Sequence, residues 1–384
     1  MADTLSSLPD PILCHILSFL QTKQSVATSI LSKMWNNLWL SVPTLCFDET
    51  VKDQITSVKF NDFVYSVLLS RDATLPIKSF HFNVSYSYDL PSPIISINKW
   101  VNFVVQRKLE DLYLRVKSVE RPELPITILT CKTLVVLKLS RFAVKEGCSV
   151  ALPSLKTLHL KYIWFSKLRD FMLFVTGCPI LEDLLTRVTF GSDESLNCNE
   201  WDSFCLSNLT TGYIHCTYSY FPLQAFYNVS SLRFQAVQVH YRNDLIPTFH
   251  NLTQLQLNII RYSCQFLVEV LHHCPELRKL DLRQANLDKI RNRKTDRENW
   301  VDPDVVPQCL SLNLRTCNLL NFFGLPDELM LARYILKSAS ILETMTIWNC
   351  GHSKNKKIIS SYPRASSTCK LTVIYLATSF QSFI

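Results

Sequence analysis

Side chains able to do chemistry are plentiful in this sequence, but their spacing organises almost none of them. His272-His273-Cys274 has the residue types of a zinc site. Adjacent side chains on a helix point apart, however, and no second ligand pair stands at the i+4 spacing of metal-binding helices. Burial of a helix end ahead of Pro275 is the expected role. Ser, His and Asp are common, yet none sits in a recognisable nucleophile frame. With only 6 Gly, the nearest two being Gly177 and Gly191, the chain cannot write a phosphate-cradling loop, a dinucleotide fingerprint or a nucleophile elbow. Hydrolase and kinase chemistry are set aside, and no catalytic residue, metal or cofactor is expected.

The 14 Cys are scattered, with no C-x-x-C and a nearest pair at Cys198 and Cys205. That distribution argues against structural zinc and suits buried free thiols in a reducing compartment. Asp3 and Asp10 occupy the region where a secretory leader is basic, and His15 breaks the apolar stretch, so no signal peptide is read. No apolar run of about 18 residues is present to span a membrane. Cytoplasm, nucleus or both is the expected location.

Net charge is +8 over 384 residues, and most of it comes from two stretches. One holds Lys289, Arg291, Arg293, Lys294 and Arg297 against Asp296; the other holds Lys354, Lys356 and Lys357. Both read as solvated loops rather than as an element shaped to a groove, so nucleic acid is not expected as a partner. The first also has the composition of a nuclear-import signal. Charged residues make up 19% of the chain, below the usual ~25%, which leaves part of the surface for partners.

What remains able to act is a surface, and the elements that would carry it are repeats. The pattern apolar-x-x-apolar-x-apolar recurs about every 26 residues, inside the range of leucine-rich repeats. Its clear copies are Leu109/Leu112/Leu114, Leu134/Leu137/Leu139, Leu155/Leu158/Leu160, Leu252/Leu255/Leu257 and Leu277/Leu280/Leu282. Weaker copies are Ile77/Phe80/Phe82, Leu181/Leu184/Thr186, Leu209/Gly212/Ile214, Val229/Leu232/Phe234, Cys309/Leu312/Leu314 and Leu342/Met345/Ile347. The last two positions share one face of a short strand and the first closes the turn entering it. Such a unit cannot bury its apolar face alone, so the units must stack into an α/β solenoid of parallel strands with helical returns. Asn208, Asn228 and Asn251, each opening an Asn-x-Ser/Thr sequon, stand directly before a first position. A fourth sequon opens at Asn83.

Three return segments keep a helical stripe: Phe171, Phe174 and Val175; Phe266, Val268, Val270 and Leu271; and Leu329, Leu331, Ile335 and Leu336. Cys178-Pro179 and Cys274-Pro275 stop two of them and favour an extended entry to the next strand. The repeats are irregular, and the Asn or Cys usual after the strand is missing, since Lys117, Phe142, Ile163, Ile260 and Ala285 fill that slot, so uneven curvature is expected.

Residues 1–48 depart from this period. Ile12, Leu13, Ile16, Leu17 and Leu20 form one helical stripe behind Leu8-Pro9-Asp10-Pro11. A second short helix is expected over residues 24–31, with Thr22 near its start. Ser32 can cap a third carrying Trp35, Leu38 and Trp39 before Pro43 ends it. Three helices in about forty residues bury too little surface to be robust alone, so part of this apolar surface is expected to meet a partner.

These N-terminal residues, with Ile16-Leu17-Ser18-Phe19-Leu20, Val26, Leu31-Ser32-Lys33 and Val42-Pro43, resemble the F-box of plant F-box/leucine-rich-repeat proteins. Met34 stands where that family usually has Arg, and Gln21 where Pro is common. Toward the C-terminus, Val306-Pro307-Gln308-Cys309-Leu310, Gly324, Glu328, Leu331, Arg333-Tyr334, Leu336, Ala339, Ile341-Leu342-Glu343 and Pro363-Arg364-Ala365-Ser366-Ser367 resemble the FBD module of the same family. The resemblance implies an F-box over residues 1–48, a leucine-rich-repeat domain over 49–300 and an FBD domain over 301–384.

The resemblance further implies a non-catalytic substrate receptor of an SCF-type (cullin-RING) ubiquitin ligase. The F-box would dock on a Skp-family adaptor, and through it on cullin and RING subunits, while the repeats hold a protein substrate. The adaptor-contact candidates are Leu8, Pro9, Ile12, Leu13, Ile16, Leu17, Leu20, Leu31, Trp35, Leu38 and Trp39; how they divide between core and interface stays open. The substrate-contact candidates point away from the core on the strands: Tyr113, Arg115, Lys138, His159, Lys161, Tyr213, Arg233, Gln256 and Arg283, with His215, Asn258 and Asp281 among them. Their Arg, Lys and Tyr content would suit an acidic or phosphorylated segment. Two alternatives stand beside this reading: a repeat module that binds its partner without recruiting a ligase, and a small-molecule co-receptor, against which the short irregular repeat set argues.

Overall fold

Each clear copy of the leucine motif is a tight turn followed by a parallel β-strand in the computed structural model. The structure describes residues 8–90, 94–191, 204–216, 223–236, 246–259, 264–284, 305–349 and 354–375. Two compact units, Met1–Leu196 and Asn197–Ile384, divide the chain.

In the first unit, β1 (Thr44–Val51), β2 (Ser79–Tyr86), β3 (Asp111–Lys117), β4 (Val136–Ser140), β5 (Thr157–Phe165) and β6 (Asp183–Phe190) pair in sequence order, all parallel. The register places Leu112, Leu137, Leu158 and Leu184 side by side, with Leu114, Leu139, Leu160 and Thr186 in the next row. All eight are buried, as are the turn-closing Leu109, Leu134, Leu155 and Leu181. Each buried Leu contributes about 1.5–3 kcal/mol relative to exposure, and the ladder requires its neighbours to do so.

The second unit repeats the arrangement with β7 (Thr211–Cys216), β8 (Ser231–Ala236), β9 (Gln254–Ile259), β10 (Lys279–Gln284), β11 (Thr316–Phe322), β12 (Thr344–Asn349) and β13 (Lys370–Tyr375). Again every pairing is parallel and sequential. The FBD-like segment therefore extends the repeats, since β11 to β13 continue the same ladder.

One backbone device recurs at the strand entries. Two successive amides reach one carbonyl of the preceding repeat, as Glu110 and Asp111 do to Lys78, Lys156 and Thr157 to Val135, and Arg278 and Lys279 to Thr253. Side chains add a second rung: the Thr133 hydroxyl donates to Leu109 O at 2.6 Å, Ser154 to Lys132 O at 2.7 Å, and Asn313 Nδ2 to Pro275 O at 2.9 Å. Two of the sequon asparagines, Asn228 and Asn251, belong to this series. Asn251 Nδ2 donates to Asn228 Oδ1 at 2.6 Å, and Asn228 Nδ2 to Ser207 O, while the Thr253 hydroxyl donates to Ser230 O at 3.1 Å. The Asn-x-Ser/Thr spacing is thus a structural rung that satisfies backbone groups between repeats.

The helices are α1 (Asp10–Leu17), α2 (Thr22–Ala27), α3 (Gln54–Ser70), α4 (Ile94–Val105), α5 (Leu168–Thr176), α6 (Cys264–His272), α7 (Gln308–Leu312), α8 (Pro326–Ser338) and α9 (Lys354–Ser360) among the described residues. The three return stripes read from the sequence fall in α5, α6 and α8, and Cys178-Pro179 and Cys274-Pro275 each come one residue after the end of α5 and α6. Cys274 is buried and His273 pairs with Glu269 one turn back at 3.5 Å.

Four expectations are corrected. The third N-terminal helix is a 3₁₀ turn, Leu38–Ser41, preceded by turns over residues 33–37, because Asn36-Asn37 compete poorly for helix. The copy assigned to Cys309/Leu312/Leu314 slides by five residues to Leu314/Cys317/Leu319: Cys309 belongs to α7 and Leu312 is exposed, while Leu314, Cys317 and Leu319 are buried. The motif Val42/Leu45/Phe47 went unread because it overlaps the N-terminal segment, yet it builds β1; β13 also went unread. Finally, Lys354, Lys356 and Lys357 lie on helix α9, not in a loop. The Lys289–Arg297 cluster lies outside the described residues.

Candidate functional site

Residues 8–43 form a small helical unit closed around Leu13, Cys14, Leu17, Trp35, Leu38 and Val42, with Leu8 and Leu20 packed against it. Pro11 in the first turn of α1 pre-sets its backbone angle, and Asp10 there suits the positive end of the helix dipole. The α1 stripe read as one surface is divided by the 100° step between residues. Leu13 and Leu17 face inward, and Ile12 and Ile16 remain exposed.

Polar groups anchor this unit to the first strand. The Thr22 hydroxyl accepts the Cys46 amide of β1 at 2.8 Å, and the Ser25 hydroxyl donates to Leu17 O at 3.1 Å. Both residues are buried. β1 pairs on one side with β2, so α2 and Thr22 cover an edge that would otherwise offer unpaired amides. Gln21 accepts the role of helix start through its amide, which donates to Gln24 Oε1 at 3.2 Å.

The adaptor-contact candidates therefore separate. Leu13, Leu17, Trp35 and Leu38 are core; Leu8, Leu20 and Trp39 are half-buried; Pro9, Ile12, Ile16 and Leu31 are exposed. Beside them stand three exposed side chains absent from that set: Phe19 at 76%, Ile30 at 85% and Met34 at 37% exposure. Phe19 lies one helical repeat beyond Ile12 and stacks edge-on against His15 at 4.9 Å. Continuing the i, i+4, i+7 series of the outer face would have found it. Ile30 had no such signal, because its exposure depends on where α2 passes into a 3₁₀ turn.

The comparisons decide the family. The F-box domain matches residues 5–47, the LRR repeats of FBD-associated F-box protein At5g56370 match residues 97–219, and FBD matches residues 302–347. FBD-associated F-box protein At4g10400 of Arabidopsis thaliana is 30% identical over 417 residues, covering 96% of this chain and 99% of its own. The chain belongs to the FBD-associated F-box protein family. F-box/FBD/LRR-repeat protein At5g56420, from the same plant, is similar at 29% identity over 96% of this chain and 98% of its own length.

In this F-box protein the substrate-contact candidates occupy one face of the strands. Across the first unit, His81, Tyr113, Lys138 and His159 lie in one register row, and Asn83, Arg115, Ser140, Lys161 and Arg187 in the next. In the second unit, Tyr213, Arg233, Gln256, Asp281 and Asn318 are in register, and Asn258 and Arg283 are neighbours in the following row. Arg233 stacks over the Tyr213 ring at 4.7 Å, and Asn318 Nδ2 donates to Asp281 Oδ1 at 2.7 Å. Burial and the nearby Arg233 charge hold the Arg283 guanidinium below its ordinary pKa. Asn258 is buried, so it supports this face rather than presenting on it.

The FBD segment of the protein carries a buried acid. Glu328, in the first turn of α8, accepts the Phe323 and Leu325 amides at 2.9 Å each, and burial pushes its carboxyl up to about 7. Between those amides Gly324 adopts a φ of +78°, and a Cβ there would collide with buried Asn355 of α9. Ser366 closes the last repeat by donating its hydroxyl to Leu342 O at 2.7 Å. The FBD pattern residues are thus mostly structural.

Among the described residues no cluster of three metal-ligating side chains occurs, and no helix is long and apolar enough to cross a membrane. The cysteines there are unbridged. Burial pushes the Cys178 and Cys309 thiols up to about 12, and raises Cys274 and Cys317 as well, which keeps them protonated and inert at neutral pH.

Proposed function

We propose that this F-box protein is the substrate receptor of an SCF-type (cullin-RING) ubiquitin ligase. Its F-box docks on a Skp-family adaptor, and its repeats hold the protein to be ubiquitinated. The receptor does no chemistry of its own; it raises the local concentration of substrate at the ligase. One observation carries the reading: a closed apolar core leaves Ile12, Ile16, Phe19, Ile30, Leu31 and Met34 exposed on about forty residues. Such side chains supply the buried anchors of a standard interface of ~800 Å² per partner.

The departure at Gln21 leaves helix α2 started, so it does not favour a repeat module that works without a ligase. The test is capture of the full chain by a purified Skp-family adaptor. Ile16→Asp with Phe19→Asp is expected to abolish capture while leaving the circular dichroism spectrum and thermal midpoint unchanged. Capture equal to that of the parent chain would overturn the docking claim. A chain that captures its partner in cells without changing that partner's turnover would favour the ligase-independent module.

A further inference from the structure

Helix α3 is apolar on two opposite sides. Its inner side packs Phe60, Val64, Val67 and Leu68 into the core of the first unit, where Phe60 meets Phe47 of β1 at 6.5 Å and Trp100 of α4 at 6.4 Å. Those four anchors seat the helix on the sheet. The outer side nevertheless carries Ile55, Val58 and Leu69 at 68%, 49% and 74% exposure, with half-buried Tyr65 and exposed Asp62 among them. The next return helix differs: the exposed side chains described on α4 are Ile95, Lys99 and Asn102.

The outer residues keep a strict order. Positions 55, 58, 62, 65 and 69 are separated by alternating steps of three and four, the a and d spacing of a helix that packs along a second helix. At 100° per residue they fall within an arc of about 80°, and the inner anchors lie on the far side. The seam is about 21 Å long, four turns, which one partner helix can follow from end to end. Lys59 and Ser66 take the e positions along its flank and supply a polar rim. Tyr65 rests edge-on against the Trp100 ring at 5.5 Å, so one knob of the seam is held in place before a partner arrives.

Asp62 narrows the choice of partner. It is exposed at the central a position, and among the described residues no Lys or Arg lies within 4 Å of it. A second copy of this chain, laid along the full seam in either direction, would bring the two Asp62 carboxylates together, which like-charge repulsion opposes. A lipid surface with anionic headgroups would repel the carboxylate as well. A helix with a cation at its own central position pairs with it inside the apolar stripe, and a single polar pair of that kind fixes register.

We propose that the outer face of α3 docks one amphipathic α-helix of a partner protein, with apolar residues along Ile55, Val58, Tyr65 and Leu69 and a lysine or arginine against Asp62. This docking needs no contribution from the exposed F-box side chains or the strand face, so it stands independently of the substrate-receptor reading.

The test uses the full chain and fluorescein-labelled helical peptides of about three heptads, with Leu at a and d and either Lys or Glu at the central a position. Fluorescence anisotropy should show the Lys peptide binding at least tenfold more tightly than its Glu twin. Asp62→Lys should reverse that preference. Val58→Asp with Leu69→Asp should weaken the Lys peptide at least tenfold while the circular dichroism spectrum and thermal midpoint are retained. No peptide binding, equal binding of the twins, a preference unchanged by Asp62→Lys, or indifference to the paired substitution at Val58 and Leu69 would each overturn the proposal. Self-association in sedimentation, or binding to phosphatidylserine vesicles, would overturn it too if lost on that paired substitution, because the face would then belong to a second copy or to lipid.

Discussion

Arg71 donates Nη2 to the Val42 carbonyl at 2.5 Å and Nη1 to the Trp39 carbonyl at 3.0 Å. It caps the end of α3, a return helix of the repeats, and so ties the last turn of the F-box to the first repeat. Burial lowers its pKa to about 10, which leaves it charged at neutral pH.

Removing that guanidinium should cost stability without touching any exposed surface. Arg71→Ala strands the Val42 carbonyl in the F-box core, while the Trp39 carbonyl keeps the Val42 amide at 3.4 Å, and a buried unsatisfied group costs about 1–3 kcal/mol. A loss of about 1–3 kcal/mol is expected in urea denaturation. A change within experimental error would show that water replaces the clamp at no cost.

The division of the α1 stripe predicts opposite behaviour for neighbours two residues apart. Leu17→Ala opens a cavity in the F-box core and should destabilise by about 2–4 kcal/mol, whereas Phe19→Ala should change stability by under about 0.5 kcal/mol. Only the second is expected to lower adaptor capture at temperatures where both chains stay folded. The reverse pattern in paired thermal melts and capture assays would contradict the assignment of faces.

Glu328 makes the second unit sensitive to pH. Its folded pKa, about 7, lies above the unfolded value near 4.5, so the folded state binds the extra proton between the two. The contribution to stability is fully present below pH ~4.5 and is lost as pH rises through ~7, by up to about 3 kcal/mol. Glu328→Gln keeps an acceptor for the Phe323 and Leu325 amides and should flatten that slope. Denaturation midpoints collected from pH 5 to 8 check it; identical slopes for both chains would refute the assignment.

The asparagine rung can be broken one atom at a time. Asn251→Asp keeps an oxygen but removes the donor that meets Asn228 Oδ1, placing a carboxylate against an acceptor. A loss of about 1–2 kcal/mol is expected, larger than for Thr253→Val, whose hydroxyl makes one bond to Ser230 O. Chemical denaturation of the two variants side by side decides whether the sequon is a rung or a coincidence.

Much of the fold was readable because it is local. The motif Leu134/Leu137/Leu139 contains its own turn and strand, and stacking follows from its inability to bury that face alone. Return helices such as α5 were readable from Phe171, Phe174 and Val175 for the same reason. The reading failed where two patterns overlapped: Val42/Leu45/Phe47 belongs to the strand period but lies inside the F-box resemblance. It failed again at Cys309/Leu312/Leu314, where helix and strand spacings both fit and burial alone separates them.

The chain by itself determined the order of parts, the strand-and-return period and the family resemblance, because these depend on residue types a few positions apart. Only the tertiary structure decided which apolar side chains of the F-box are core and which are left outside, and that Lys161 of β5 stands beside Arg187 of β6. Both outcomes depend on distances between residues far apart in sequence. Ile16 and Leu17 are adjacent and chemically alike, and what distinguishes them is that Trp35 and Leu38 return to cover only one of them.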